Sequence, residues 1–133
     1  MPQEISLLLI YSLCVVAMLL SQSVLTYFQH GLAQLVGDRE GVFSTGVAGR
    51  AERAFNNTLI SLVFVCIPVF AMALADYSTN STIFALKVFI YARIFYFLSY
   101  ILAIPYIRSC LWWISLLSTL YLFYSAIMVS QTN

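Results

Sequence analysis

Arg50, Arg53 and Asn57 follow one another at spacings of three and four residues, where a polar loop passes into a long apolar run. Arg93 lies inside another apolar run and is followed by Tyr96 and Tyr100 at the same spacings. On a helix, positions i, i+3 and i+7 share a face, so each set forms a polar stripe on an otherwise apolar cylinder. A guanidinium inside hydrocarbon costs a few kcal/mol unless a partner, cavity or ligand compensates it. The five acidic residues, Glu4, Asp38, Glu40, Glu52 and Asp76, all fall at the ends of apolar runs or in connectors. The expected compensator is therefore a ligand or a neighbouring subunit. Guanidiniums grip carboxylates through forked hydrogen bonds, and tyrosine hydroxyls hold a carbonyl or a nucleophile. Such a cleft suits a small anionic molecule that is polar along its length. The plainer alternative is that the arginines snorkel from helix ends and the tyrosines form an interfacial belt. That alternative suffices for Arg50 and serves about equally well for Arg108, but it does not suit Arg93.

The elements that must position these groups are set by composition. The chain has 133 residues, 62% hydrophobic and 8% charged, whereas a soluble domain is about 25% charged. Four apolar runs, 5–28, 54–75, 83–106 and 110–130, reach the roughly 20 residues that a helix needs to span a bilayer. The fold expected is an all-α membrane protein, a four-transmembrane-helix bundle forming one domain over 1–133. The first run lacks a basic leader and a small-residue cleavage site, so it reads as a retained helix rather than a secretory signal. Pro68 should kink the second run or loosen its last turns. Arg39, Arg50, Arg53 and Arg108 fall on the side of the first and third connectors, with Lys87 toward the other. The positive-inside rule then places those two connectors in the cytosol.

Other polar residues carry less chemistry. Ser12, Ser21, Gln22 and Ser23 in the first run suit helix-to-helix contacts in lipid. All five glycines lie in the first connector, residues 29–49, which reads as a flexible loop or as one that covers a ligand. Cys14, Cys66 and Cys110 are scattered without metal-ligand spacing, and His30 is alone, so neither a zinc nor a haem site can be assembled. Asn80-Ser81-Thr82 is formally a glycosylation acceptor. Trp112, Trp113, Tyr121 and Tyr124 suit interfacial anchoring. A net charge of +1 gives no reason to expect nucleic acid as a partner.

Three segments carry a resemblance: residues 50–57 (RAERAFNN), 91–100 (YARIFYFLSY) and 104–109 (IPYIRS). In order and spacing they resemble the MAPEG family, the membrane-associated proteins of eicosanoid and glutathione metabolism, and its bacterial members in particular. The resemblance implies a homotrimer that holds glutathione at subunit boundaries near the cytosolic face. It implies that Arg50, Arg53, Asn57, Tyr96 and Tyr100 contact the tripeptide, with Arg93 beside them, and that Arg93 or Arg108 stabilises the thiolate. A bacterial inner membrane is the implied location. One departure bears on function, because Ile60 stands where the family usually has a glutamate. Losing that buried, charged hydrogen bond costs about 2–3 kcal/mol, or roughly 30–100-fold in affinity. Val63 likewise stands where many bacterial members have proline. Two functions follow. One is a glutathione-dependent transferase or peroxidase acting on lipophilic electrophiles. The other is a catalytically eroded relative that binds membrane lipids or serves as an accessory subunit of a larger membrane complex. An unrelated transporter or channel subunit is disfavoured, since internal repeats and paired carboxylates are missing.

Overall fold

The structure is a computed structural model that describes residues 1–132. Its four long helices are α1 (Gln3–His30), α3 (Gly46–Leu74), α4 (Asn80–Ile101) and α5 (Pro105–Thr132), and a single short turn of helix, α2 (Leu32–Val36), lies in the first connector. Each long helix is apolar and long enough to cross a membrane. Consecutive long helices run antiparallel. Around the bundle, α1 packs on α3, α3 on α5 and α5 on α4, and α4 closes back onto α1. The central core is formed by Leu8, Tyr11 and Val15 from α1, Val65, Val69 and Met72 from α3, Leu86 and Phe89 from α4, and Leu122 and Ala126 from α5. Tyr11 meets Phe89 edge to face, with ring centroids 5.5 Å apart.

Helix boundaries differ from the sequence-based expectation most at three places. The second span begins at Gly46 rather than near residue 54, the third ends at Ile101 rather than near 106, and the fourth starts at Pro105 rather than near 110. The early stop has a local cause. Ala103 takes a left-handed conformation (φ 58°), and the Ala103 and Ile104 amides donate back to the carbonyls of Tyr100 and Ser99, the pattern of a Schellman cap. Pro105, which cannot extend the preceding helix, instead opens α5. Arg108 therefore belongs to the first turn of α5 and not to the connector. Pro68 does not end α3, which runs on to Leu74.

Hydrogen bonds clamp both ends of the bundle. At the α3–α4 end, Glu4 is 2% exposed. Its carboxylate accepts from Ser78 (2.9 and 2.8 Å to its two oxygens) and from Thr82 (2.6 Å). Thr82 also completes the capping box of α4 with Thr79, so the hydroxyl that the Asn80-Ser81-Thr82 glycosylation motif needs is buried and engaged. At the other end, Gln29 donates to Thr45 Oγ1 (2.6 Å) and accepts from the Thr45 amide (3.1 Å). Gly49 lets this loop lie against α3, because a Cβ at that position would stand 2.6 Å from the Ser44 carbonyl oxygen. The first connector is thus pinned at both of its ends. Ser12 and Ser21 donate to carbonyls one turn earlier on their own helix, and Gln22 bonds Thr26, so these polar groups do not bridge helices as the sequence suggested.

Two outcomes test this account. Glu4→Ala removes the charged acceptor of the buried Thr82 hydroxyl and of the exposed Ser78 hydroxyl and should cost about 2 kcal/mol, read as a lower thermal midpoint in detergent. Ala103→Gly removes the left-handed penalty and should raise that midpoint, by about 1 kcal/mol of stability.

Candidate functional site

Arg93 lies about 20 Å along α4 from its first residue, deep within the span, and is 1% exposed. Its Nη2 donates to Asn57 Oδ1 at 2.8 Å and to Thr58 Oγ1 at 3.2 Å, both on α3. Its guanidinium carbon stands 4.2 Å from the centroid of the Tyr96 ring, in position for a cation–π contact. Both hydrogen-bond partners are neutral oxygens, so the charge itself is solvated within the chain but not neutralised. The Nε has no partner among the described residues, nor does the buried hydroxyl of Tyr11 on α1.

One helical turn beyond Tyr96, toward the α4–α5 turn, Tyr100 gathers two further cations. Arg108 stands 4.5 Å from its ring centroid and Arg53 stands 6.0 Å from it. Tyr96 and Tyr100 meet edge to face at 5.8 Å. The two sequence stripes therefore converge within a single chain. Arg53, Asn57, Arg93, Tyr96, Tyr100 and Arg108 form one continuous cationic and phenolic strip running from mid-bundle to the α4–α5 end. Arg50 is drawn elsewhere, since its Nε donates to the Ile101 carbonyl at 3.1 Å. There it caps the C-terminus of α4, where a cation is favoured by the helix dipole.

Two cavities flank the strip. The larger, about 460 Å³, opens between α3 and α5 and is lined by Asn57, Ile60, Ser61, Arg93, Trp112 and Thr119 among others. Its walls are mostly apolar, and its polar edge is provided by Asn57 and Arg93. The smaller, about 170 Å³, lies among Tyr96, Arg108, Ser109, Trp112 and Trp113. Trp112 borders both, and its ring meets Trp113 edge to face at 5.1 Å. Ile60, which replaces the expected carboxylate, is 58% exposed on α3 and faces the larger cavity.

Sequence reasoning placed the arginines, Asn57 and the tyrosines together but missed Thr58 and Tyr11. A hydroxyl directly after Asn57 on an apolar helix was the available signal for Thr58. For Tyr11 only its depth in the first run could have served, since nothing in the spacing ties α1 to Arg93. Arg93 also has more internal partners than expected, as Asn57, Thr58 and the Tyr96 ring share its solvation before any ligand is invoked.

The MAPEG family model matches residues 6–128, nearly the whole chain and the greater part of all four long helices. No curated protein and no solved structure matches the chain.

The neutral surroundings of Arg93 predict a split between stability and charge. An apolar group of similar volume removes the cost of burying an unneutralised charge, which offsets much of the loss of the Asn57 and Thr58 contacts. Arg93→Met should therefore stay within about 1 kcal/mol of the parent, whereas Arg93→Ala opens a cavity and should lose about 3 kcal/mol. Unfolding curves in detergent read both.

Proposed function

The chain belongs to the MAPEG family, and from that premise we propose that it binds glutathione, or a close anionic relative, along the Arg53–Arg93–Arg108 strip. The observation that carries this reading is the convergence of three guanidiniums and two phenols whose resolved partners are all neutral. A cationic strip with nothing to balance it calls for an anion. The two carboxylates of glutathione meet that need, with Arg53 exposed at the mouth and Arg93 at depth. Its ammonium group is less well served, because Ile60 offers no acceptor where the family places a glutamate.

Glutathione supplies a sulfur nucleophile to such a site. Arg108 and Arg93 are the chain's means of activating it, since a nearby guanidinium favours thiolate over thiol. Tyr96 and Tyr100 keep both arginines in place through their ring faces, and Tyr100 holds Arg53 as well. The apolar cavity between α3 and α5 opens beside the strip and suits a lipophilic electrophile arriving from the bilayer. Together these features support a glutathione-dependent transferase or peroxidase.

The smaller niche is below the roughly 300–1,000 Å³ usual for small-molecule sites. A tripeptide enclosed there needs walls from another chain, which supports a homotrimer with the ligand at its subunit boundaries. The excess of arginines at this end supports a cytosolic orientation of the first and third connectors, and the resemblance to bacterial members supports a bacterial inner membrane. Ile60 specifically favours a second reading, in which catalysis has been lost and the scaffold serves a lipid or a larger membrane complex.

Calorimetry of the purified protein with glutathione separates the two. Saturable binding by the parent, weakened at least tenfold in Arg53→Ala, is the expected result, and Ile60→Glu should tighten it by roughly 30-fold or more. Binding gained only by Ile60→Glu would establish the eroded site. Turnover with a generic aromatic electrophile then reports on catalysis.

A further inference from the structure

A second groove lies between α4 and α5 at the opposite end of the bundle from Arg53 and Arg108. It measures about 510 Å³ and is walled by Phe84, Ala85 and Val88 from α4 and by Leu117, Ser118 and Tyr121 from α5. Ala85 and Ser118 are small, which leaves a channel between the larger flanking side chains. The Ser118 hydroxyl is spent on the Ile114 carbonyl, so the α5 wall is hydrocarbon apart from the phenol of Tyr121. The mouth differs. Asn80 and Ser81 line it, and because Thr79 and Thr82 perform the capping of α4, their side chains are unengaged among the described residues.

Lys87 does not line the groove itself, but on α4 it lies three residues after Phe84 and seven after Asn80, which do, and so shares the helix face that borders it. It is the only lysine of the chain and is exposed, on a helix whose other exposed residues include Phe84, Tyr91 and Phe95. Helical side chains lean toward the helix N-terminus, which directs the Lys87 stem back toward Asn80 and Ser81. About 10 Å of helix separates positions 87 and 80. A lysine in that position snorkels, laying its stem along the apolar wall and its ammonium near the headgroup level.

We propose that this groove is a binding site for an anionic phospholipid, with one acyl chain in the channel and the phosphate held by Lys87 beside Asn80 and Ser81. Charge complementarity selects the occupant. A cation with no acidic partner among the described residues, beside a mostly apolar channel, matches an amphiphile with a negative head and an apolar tail. A soluble anion would leave the channel unused, and an apolar helix from another chain would leave the ammonium unpaired. The site is independent of the guanidinium strip and stands or falls separately from glutathione binding.

Native mass spectrometry tests it, on protein released from vesicles of equal parts phosphatidylcholine and phosphatidylglycerol. The parent should retain phosphatidylglycerol over phosphatidylcholine by roughly fivefold, the contribution of one lysine near a membrane surface. Lys87→Gln should erase that preference and Lys87→Arg should keep it. Leu117→Trp, at an exposed wall position, should fill the channel and reduce retention of both lipids. Equal retention of the two headgroups by the parent, or an undiminished preference in Lys87→Gln, would overturn the assignment. A short amine-reactive cross-linker that joins Lys87 of two chains in intact membranes would also overturn it, by assigning the groove to an interface between copies.

Discussion

The interaction on which the site depends is the reach of Arg93 from α4 across to Asn57 and Thr58 on α3. In hydrocarbon a charge must be solvated by whatever the protein provides, and here two oxygens and an aromatic face provide it. That tie fixes how α3 and α4 are rotated against each other. It thereby decides that Arg53 and Tyr100 face one another and that Ile60 turns toward the cavity. Because the solvation comes from neutral groups, the cation persists after the helices are joined. A carboxylate in place of Asn57 would have locked the same two helices and extinguished the field that makes the strip useful. Neutral partners thus join the helices while leaving the charge in place.

The two ends of the bundle support this middle in different ways. Glu4 at one end binds the start of α4 through Ser78 and Thr82, tying α1 to the α3–α4 connector. At the other end Gln29 and Thr45 hold the loop, and Arg50 reaches the last turn of α4. These contacts are carried by side chains that span a sequence separation of 16 to 78 residues. They set the register along the bundle axis, a degree of freedom that apolar packing alone specifies poorly.

Much of this was legible in the sequence, for identifiable reasons. Apolar length dictated four spans, and helical spacing correctly grouped Arg93 with Tyr96 and Tyr100. The same reasoning grouped Arg50 with Arg53 and Asn57. It did not foresee that Arg50 also reaches the Ile101 carbonyl, because which free carbonyl a long side chain at the helix edge meets is set only by the fold. The end of α4 was misplaced because apolar residues continue past it. What stops the helix is a backbone conformation at Ala103, a residue whose type gives no warning of a left-handed turn. Glu4 read as a helix-end charge for the same kind of reason, since its burial depends on hydroxyls that arrive from more than 70 residues away.

The hydroxyls of α5 have a mechanical implication. Ser115, Ser118, Thr119 and Ser125 each donate to a carbonyl three or four residues back on α5 itself. Among the described residues no hydrogen bond joins α5 to α1, α3 or α4, and apart from the Arg108 stacking on Tyr100 it is held by close packing alone. Dispersion contacts are shallow and non-directional, so a rod seated on them tilts without breaking anything discrete. The wall shared with α3 is therefore the compliant seam of an otherwise bolted assembly, and it forms one side of the larger cavity.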